Sequence, residues 1–241
     1  MQTVTISACV TFRSVCVSIC NSVAAGTLVA LLAAGSSASA DSGAPRHSLE
    51  FDVLLGNKPI GLHRFDITAG PGQSRLINSE ASFDVRILGI TAYRYRHRAL
   101  ERWEDGCLRE LEATTDDNGD RLRIAAVPAA GALQLTGSGG VATLPGCTRT
   151  YAYWDRSALE QARLLNPQTG QLDPVSFTRV GTERIVVQGR EVAAERHRLA
   201  TGKFTMDLWY STDGQWLQLD STTQNGRRLR YRLRTNAKVG T

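Results

Sequence analysis

The chain has 241 residues, of which 42% are hydrophobic and 21% are charged, and its formal net charge is +5. Without a leader, this length suits one domain or one large β unit. The positive excess is mild, whereas nucleic-acid binders usually carry a stronger and more clustered one, so we expect no nucleic-acid partner.

Residues 1–40 have the pattern of a secretory signal peptide. They contain one charged side chain, Arg13, and an apolar run over 23–34 that is too short to span a bilayer comfortably. Small residues follow, ending in Ala40. We therefore predict cleavage after Ala40 and a mature chain, 41–241, that folds as one β-rich domain in the periplasm and does not span a membrane. An uncleaved N-terminal anchor is the alternative.

The cysteines are divided by this cleavage site. Cys9, Cys16 and Cys20 would be lost with the leader, and Cys107 and Cys147 would remain. An even number of cysteines in an oxidising compartment predicts one disulfide. Two separate buried thiols are the alternative, and structural zinc would need four ligands at tight spacing.

Apolar and polar residues alternate along most of the mature chain. Leu49, Phe51, Val53 and Leu55 share one face, for example, and the polar residues between them share the other. Such alternation is typical of antiparallel strands with one solvated face. Similar segments occur at 81–87, 93–103, 203–210 and 228–234. With roughly ten to thirteen strands, we expect a single strongly curved antiparallel sheet or an open β-barrel.

Dipeptides that end in glycine separate these segments and predict tight hairpin turns. They are Asp105-Gly106, Asn118-Gly119, Gln188-Gly189, Thr201-Gly202, Asp213-Gly214 and Asn225-Gly226. The glycine-rich stretch 131–140 predicts a hairpin tip or a flexible loop.

One segment has a different period. Leu159, Ala162 and Leu165 have helical spacing, and Asp155 precedes them as a candidate N-cap. We therefore predict one short helix near Ser157 to Leu165.

Known catalytic and cofactor motifs are missing from the sequence. It has no Gly-x-Ser-x-Gly elbow and no glycine-rich phosphate loop, so no cofactor is predicted. The acidic segment 116–120 resembles a calcium loop only superficially, because its glycine stands at the fourth position rather than the sixth. A hairpin turn explains it better. The histidines, which are His47, His63, His97 and His197, are not at metal-ligand spacing, and no metal site is predicted.

Two sets of side chains are candidates for ligand binding. The first is aromatic, with His97 beside it, and could line a cavity for an apolar molecule; ordinary core packing is the alternative. The second consists of arginines on two strands, which would form one cationic patch if those strands were neighbours; a solvated face with paired acids is the alternative. The candidates are Tyr93, Tyr95, His97, Trp103, Tyr153, Trp154, Trp209, Trp216, Arg94, Arg96, Arg230 and Arg232.

Several motifs together resemble one protein family. They are Phe51-Asp52-Val53 with Gly61, the stretches 92–97, 103–108, 115–119, 151–155 and 164–170, and Leu208-Trp209-Tyr210. The set is similar to a family of secreted proteobacterial proteins, the domain of unknown function 6134, over nearly all of the mature chain. More distantly the chain looks like the half-barrels that carry lipids or lipoproteins across the periplasm. That likeness implies a fold and transfers no functional residue.

The leading functional hypothesis is a non-enzymatic binding or carrier module of the cell envelope. Its ligand would be an apolar or amphipathic anionic molecule such as a lipid, with aromatic residues holding the apolar part and arginines the anionic part. One alternative is an envelope enzyme that uses His97, Glu101 and Asp155. The other is a structural module that binds an envelope protein.

Overall fold

The computed structural model describes residues 46–223 and 226–239, so the predicted signal peptide and its cleavage after Ala40 lie outside the described residues. Within these ranges the chain forms fifteen strands and one 3-10 helix, Arg156–Glu160. The strands are β1 Arg46–Leu55, β2 Lys58–Ala69, β3 Arg75–Ile87, β4 Ile90–Glu104, β5 Cys107–Asp117, β6 Asp120–Ala129, β7 Ala132–Gly137, β8 Gly140–Leu144, β9 Arg163–Leu165, β10 Leu172–Pro174, β11 Ser176–Val187, β12 Arg190–Ala200, β13 Thr205–Ser211, β14 Trp216–Thr222 and β15 Arg228–Val239.

Thirteen of these described strands form one antiparallel sheet. Its order is β11-β12-β13-β14-β15-β1-β2-β3-β4-β5-β6-β7-β8, so two meanders lie side by side where β15 pairs with β1. No pairing between β8 and β11 is found among the described residues, and the sheet is open. The prediction of a mainly β fold built on one large antiparallel sheet is confirmed.

The core lies on the inward face of this sheet. The predicted alternation of β1 is confirmed, because Leu49, Phe51, Val53 and Leu55 are all buried. Inward side chains form two hydrophobic clusters. One contains Phe51, and the other is built around Trp103.

A connection between β8 and β11, residues 145–175, covers part of the inward face, and we call it the crossing segment. A disulfide between Cys107 and Cys147 ties its start to β5, as predicted, with the two Cα atoms 4.8 Å apart. Further along, the hydroxyl of Tyr210 on β13 donates a hydrogen bond to the carbonyl of Tyr153 at 3.0 Å. The crossing segment is therefore held at both sides of the sheet.

The predicted helix is wrong in its extent. Asp155 caps it as expected and accepts a hydrogen bond from the Ser157 amide, but the helix is a 3-10 turn that ends at Glu160. Leu164 and Leu165 belong instead to β9, which pairs with β10. Successive side chains of a strand point to opposite sides, and these two leucines enter different hydrophobic clusters. A helix could not bury both in this way.

The glycine-containing turns lie between consecutive strands, as predicted, although Asn225 itself lies outside the described residues. The stretch 131–140 contains the β7–β8 hairpin, which confirms a hairpin tip there. None of the helical structure in 46–223 and 226–239 is long and apolar enough to cross a membrane.

Candidate ligand cavity

A cavity of about 90 Å³ lies between the inward face of the sheet and the crossing segment. Strands β2, β3 and β4 form one wall, and β13, β14 and β15 contribute to the other. Thr150, Tyr151, Ala152, Tyr153 and Trp154 cover it from the crossing segment. The volume is large enough for several water molecules but well below the roughly 300–1,000 Å³ of pockets for drug-sized ligands.

Strand register places a row of polar side chains along the first wall. His63 on β2 is opposite Ala81 on β3, and Ala81 is opposite His97 on β4. His97 in turn is opposite Thr115 on β5. Because the residue between the two histidines is a small alanine, both imidazoles have room to turn toward the cavity that they line.

His63 makes polar contacts to two neighbouring side chains. Its Nε2 is 2.8 Å from the Ser79 hydroxyl, and its Nδ1 is 3.4 Å from the Tyr231 hydroxyl. The ring also stacks on Phe65, with centroids 4.1 Å apart. Burial, and to a lesser degree the nearby His97, lower the pKa of His63 well below its usual value. His63 is therefore a neutral hydrogen-bonding group.

His97 and Glu101 complete this wall on β4. His97 Nδ1 is 2.9 Å from the Thr115 hydroxyl, and burial lowers the pKa of His97 to about 4. The Glu101 carboxylate accepts hydrogen bonds from Trp103 Nε1 at 2.8 Å and from the Thr150 hydroxyl at 3.2 Å. Burial outweighs both bonds and raises the pKa of Glu101 to about 7. At pH 7 both histidines are therefore neutral, and Glu101 is partly ionised.

The opposite side of the cavity is aromatic. The Trp216 ring packs on Phe51 with centroids 4.1 Å apart, on Tyr153 at 5.5 Å and on Phe65 at 5.6 Å. Tyr231 stacks on Trp216 from the next strand at 6.2 Å. A polar row that faces an aromatic surface is suited to a ligand with an apolar ring and a hydrogen-bonding group.

The structure brings four of the predicted aromatic and histidine candidates to this cavity. His97, Tyr153, Trp154 and Trp216 line it. The remaining aromatic candidates lie outside the lining of this cavity.

Tyr93, Tyr95 and Trp103 are packed in the core, each at most 2% exposed. Their contacts are structural. The Tyr93 hydroxyl donates to the buried Asp117 carboxylate, and Tyr95 stacks on Phe83 with centroids 5.2 Å apart.

Trp209 is also buried, at 4% exposed, but it packs away from the cavity. Its indole N–H donates to Glu183, and the guanidinium of Arg196 lies over the ring at 5.2 Å. It does not belong to the lining of the cavity. Of these two tryptophans, only Trp216 lines the cavity.

The predicted arginines lie on the outer face. Arg94 and Arg96 on β4 pair with Asp84, and Arg232 on β15 pairs with Asp220 at 2.6 Å. Arg230 donates to the carbonyl of Gly56. Strands β1, β2 and β3 separate β4 from β15, so the two rows do not form one patch. The outer face contains ion pairs with acids of neighbouring strands.

A larger groove of about 680 Å³ lies on this outer face. Several of its charged groups form ion pairs with neighbours, as in the pairs Arg98–Glu80 and Arg121–Asp116 at 3.0 and 3.3 Å. Exposed ion pairs of this kind belong to a solvated surface. The smaller interior cavity, where polar groups are buried, is the better candidate for a ligand site.

The candidates for catalysis are only partly brought together. His97 and Glu101 line the same cavity, but they are four positions apart on one strand, a distance of about 13 Å. Asp155 is engaged elsewhere, with Ser157 and with Arg75 at 3.4 Å. Over the described ranges, no group of three or more His, Cys, Asp or Glu side chains could hold a metal ion.

Sequence reasoning missed several lining residues: His63, Ser79, Thr150 and Tyr231. A signal was available for two of them, since His63 has the same parity as the apolar Phe65 and Ile67 on its strand, and Tyr231 has the same parity as Leu229 and Leu233. Ser79 and Thr150 could not be found in this way, because their place depends on strand register and on the path of the crossing segment.

Comparison with known proteins agrees with this fold. A family profile described as Domain of unknown function (DUF6134) matches residues 51–234. A solved structure titled as a beta-barrel-like protein of domain of unknown function DUF1849, from Brucella abortus, has a TM-score of 0.59 at 11% identity. The alignment covers 81% of this chain and 98% of that one, and it is a likeness of fold alone.

A second structure, titled PNGF-II, has a TM-score of 0.32 at 12% identity and supports no inference; it covers 82% of this chain and 29% of that one. No curated protein sequence matches the chain. Because the profile spans most of the sequence, the chain belongs to the DUF6134 family.

Proposed function

We propose that this protein is a non-enzymatic binding protein of the cell envelope that holds a compact ligand in its interior cavity. The observation that carries the proposal is the polar row of the half-buried His63 and the buried Ser79, His97 and Glu101, which faces the aromatic surface around Trp216. Buried polar side chains that line a cavity provide hydrogen bonds to a ligand and fix its orientation.

The charges of the side chains that line the cavity indicate which ligands it would bind. Both histidines are neutral at pH 7 because burial lowers their pKa values. Arg94, Arg96 and Arg232 lie on the outer face and pair with acids there. An anionic group would therefore be desolvated in the cavity without a cationic partner, which is costly. The preferred ligand is neutral, with one or two hydrogen-bonding groups.

The volume of the cavity limits the size of the ligand. At about 90 Å³ the cavity suits a single ring or a short branched chain rather than a whole lipid. A lipid carrier would need the crossing segment to move away from the sheet. The hydrogen bond from Tyr210 to Tyr153 and the disulfide at Cys147 oppose such a movement.

Placement in the envelope rests on two features. The first 40 residues have the signal-peptide pattern described above, with cleavage after Ala40. The disulfide between Cys107 and Cys147 is typical of an oxidising compartment such as the periplasm.

Ligand binding can be tested with defined probes. Phenol and indole are neutral rings with one hydrogen-bonding group, and benzoate is a charged ring of similar size. We expect phenol and indole to raise the melting temperature of the purified protein, and benzoate to leave it unchanged. Native mass spectrometry with organic extraction of protein from the periplasm would identify a natural ligand.

A variant that fills the cavity provides the control. Ala99 lines the cavity and Ala142 is exposed on β8. Ala99→Leu should abolish the shift caused by phenol, and Ala142→Leu should preserve it. Absence of a shift with every neutral probe, together with a clean apo mass, would count against the binding function.

An enzymatic function is the second candidate, and the raised pKa of Glu101 favours it. A carboxyl group with a pKa of about 7 can both donate and accept a proton near neutral pH. If the cavity is catalytic, Glu101→Gln would abolish turnover of a bound compound while leaving its binding intact. If it is a binding site, extracted ligand would be recovered chemically unchanged.

A further inference from the structure

The β3–β4 hairpin extends beyond the strands on both sides of it. Pairing of β2 with β3 reaches no further along the hairpin than Gly61 opposite Phe83. Pairing of β5 with β4 reaches no further than Asp117 opposite Tyr95. The end of the hairpin therefore projects from the sheet as a finger, and every residue over 86–92 is exposed.

The tip of this finger is apolar. Ile87 is 52% exposed, Leu88 97% and Ile90 74%. Single exposed aliphatic residues are common on protein surfaces, but a cluster at the end of a projecting element marks an interaction site. The tip has no aromatic residue.

The turn itself uses a residue that its geometry disfavours. Leu88 has φ of 50° and Gly89 has φ of 82°, which is the left-handed pair of a two-residue hairpin. Four other hairpins of this protein have the same conformation, and they place Asp105, Asn118, Ala130 or Gln188 before the glycine. A leucine at this position is disfavoured by its backbone conformation and exposes its apolar side chain to water, and burial of that side chain against a partner would offset both costs.

Two basic side chains, Lys58 and Arg86, lie at the base of the finger. The Lys58 amine lies there, donating to the carbonyl of Arg86 at 2.7 Å, and the Arg86 side chain is exposed. From 85 to 100 the hairpin contains no acidic residue, and Asp84, which precedes this stretch, is paired with Arg94 and Arg96. Aliphatic residues at a tip with basic residues behind them match an anionic lipid surface, where the tip enters the apolar boundary and the cations meet phosphates. A protein interface would instead be rich in Trp and Tyr.

We propose that Ile87, Leu88 and Ile90 insert between lipid head groups while Lys58 and Arg86 contact the phosphates, so that the protein docks reversibly on an anionic membrane. Leu88 lies three positions beyond the buried Val85, a reach of about 10 Å in extended chain. This matches the depth to which peripheral elements enter the head-group region. The docking does not depend on the ligand cavity, which is lined by other residues.

Vesicle flotation tests the docking. The purified protein is mixed at low ionic strength with vesicles of phosphatidylcholine alone or with added phosphatidylglycerol. We expect it to float with the anionic vesicles and to be released by salt, because exposed charges are screened. The variant Ile87→Ser/Leu88→Asn/Ile90→Ser should lower the partition coefficient about tenfold or more, since apolar burial is lost. Asn suits the left-handed turn, so this variant should remain folded.

Control substitutions test whether flotation depends on the finger or on exposed apolar residues in general. Val127 and Val141 are 50% and 66% exposed but lie on β6 and β8. Val127→Ser/Val141→Ser should float like the parent protein, and Lys58→Gln/Arg86→Gln should lose about tenfold on anionic vesicles only. A parent protein that does not float, or a finger variant that floats equally well, would overturn the proposal. A dimer that dissociates only in the finger variant would also overturn it and assign the tip to contact between copies.

Discussion

Thr150 and Glu101 are joined by a hydrogen bond between the crossing segment and strand β4, in which the Thr150 hydroxyl donates to Glu101 Oε2 over 3.2 Å. Trp103 Nε1 donates to the same oxygen at 2.8 Å. The ionisation of one carboxyl group is therefore coupled to the cover of the cavity.

Replacement of Glu101 by Gln should change how stability depends on pH. The pKa of Glu101 is about 7 in the folded protein and near 4.5 when exposed, so the folded state binds more protons between these values. Stability then falls as pH rises through this window, by about 3 kcal/mol. Glu101→Gln removes this loss, and its stability relative to the parent should increase by that amount from pH 4.5 to 8. Urea denaturation at several pH values measures it, and a constant difference would contradict it.

His97 should affect the pH dependence of stability in the opposite direction from Glu101. Burial lowers its pKa to about 4, below the usual 6.5, so the unfolded state binds more protons between these values. Stability contributed by neutral His97 is present above pH 6.5 and is lost as pH falls toward 4. NMR titration of the imidazole, assigned by comparison with His97→Gln, should give a midpoint near 4. A midpoint at 6.5 or above would mean that His97 is open to solvent.

Removal of the disulfide should loosen the cover of the cavity. Cys107 and Cys147 are 40 residues apart, and closing a loop of that length stabilises by about 4 kcal/mol in the chain-entropy model. Cys107→Ser/Cys147→Ser should lose stability of this order in urea denaturation. Hydrogen exchange should also speed up at the Tyr151 amide, which bonds to the Leu165 carbonyl within the crossing segment. Unchanged exchange there would show that other contacts hold the segment.

Two glycines with nearly equal backbone angles should differ sharply in their tolerance of a side chain. Gly61 has φ of 157° and Gly181 has φ of 158°, and each stands at a register shift between strands. A Cβ atom at Gly61 would overlap the Ser82 carbonyl oxygen, whereas one at Gly181 would meet open space. Gly61→Ala should therefore cost about 1–3 kcal/mol more than Gly181→Ala in thermal denaturation. Equal losses would mean that backbone angle alone matters.

The sequence predicts much of the sheet, because strand period and turn chemistry are local. Alternation along β4 places Tyr93, Tyr95 and His97 on the buried face, and Asn118-Gly119 marks a hairpin. The helix at Ser157 to Leu165 was mispredicted beyond Glu160 because long-range packing of Leu164 and Leu165 overrides their helical spacing.

The candidate site was less accessible to sequence reasoning. The row that links His63 to His97 exists only through the register of three strands, and Thr150 reaches Glu101 across 49 positions of sequence. The predicted arginines alternate correctly, but alternation does not reveal that Arg96 and Arg232 have acids opposite them.

The pairing of β1 with β15 divides the assembly of this protein into local and non-local steps. Each meander can form from hairpins whose strands are close in sequence, which keeps their contact order low. The join between Phe51 and Leu233 has to wait until the last strand is available. Until β15 is available, one edge of β1 has no partner strand. An incomplete chain can therefore aggregate through this edge.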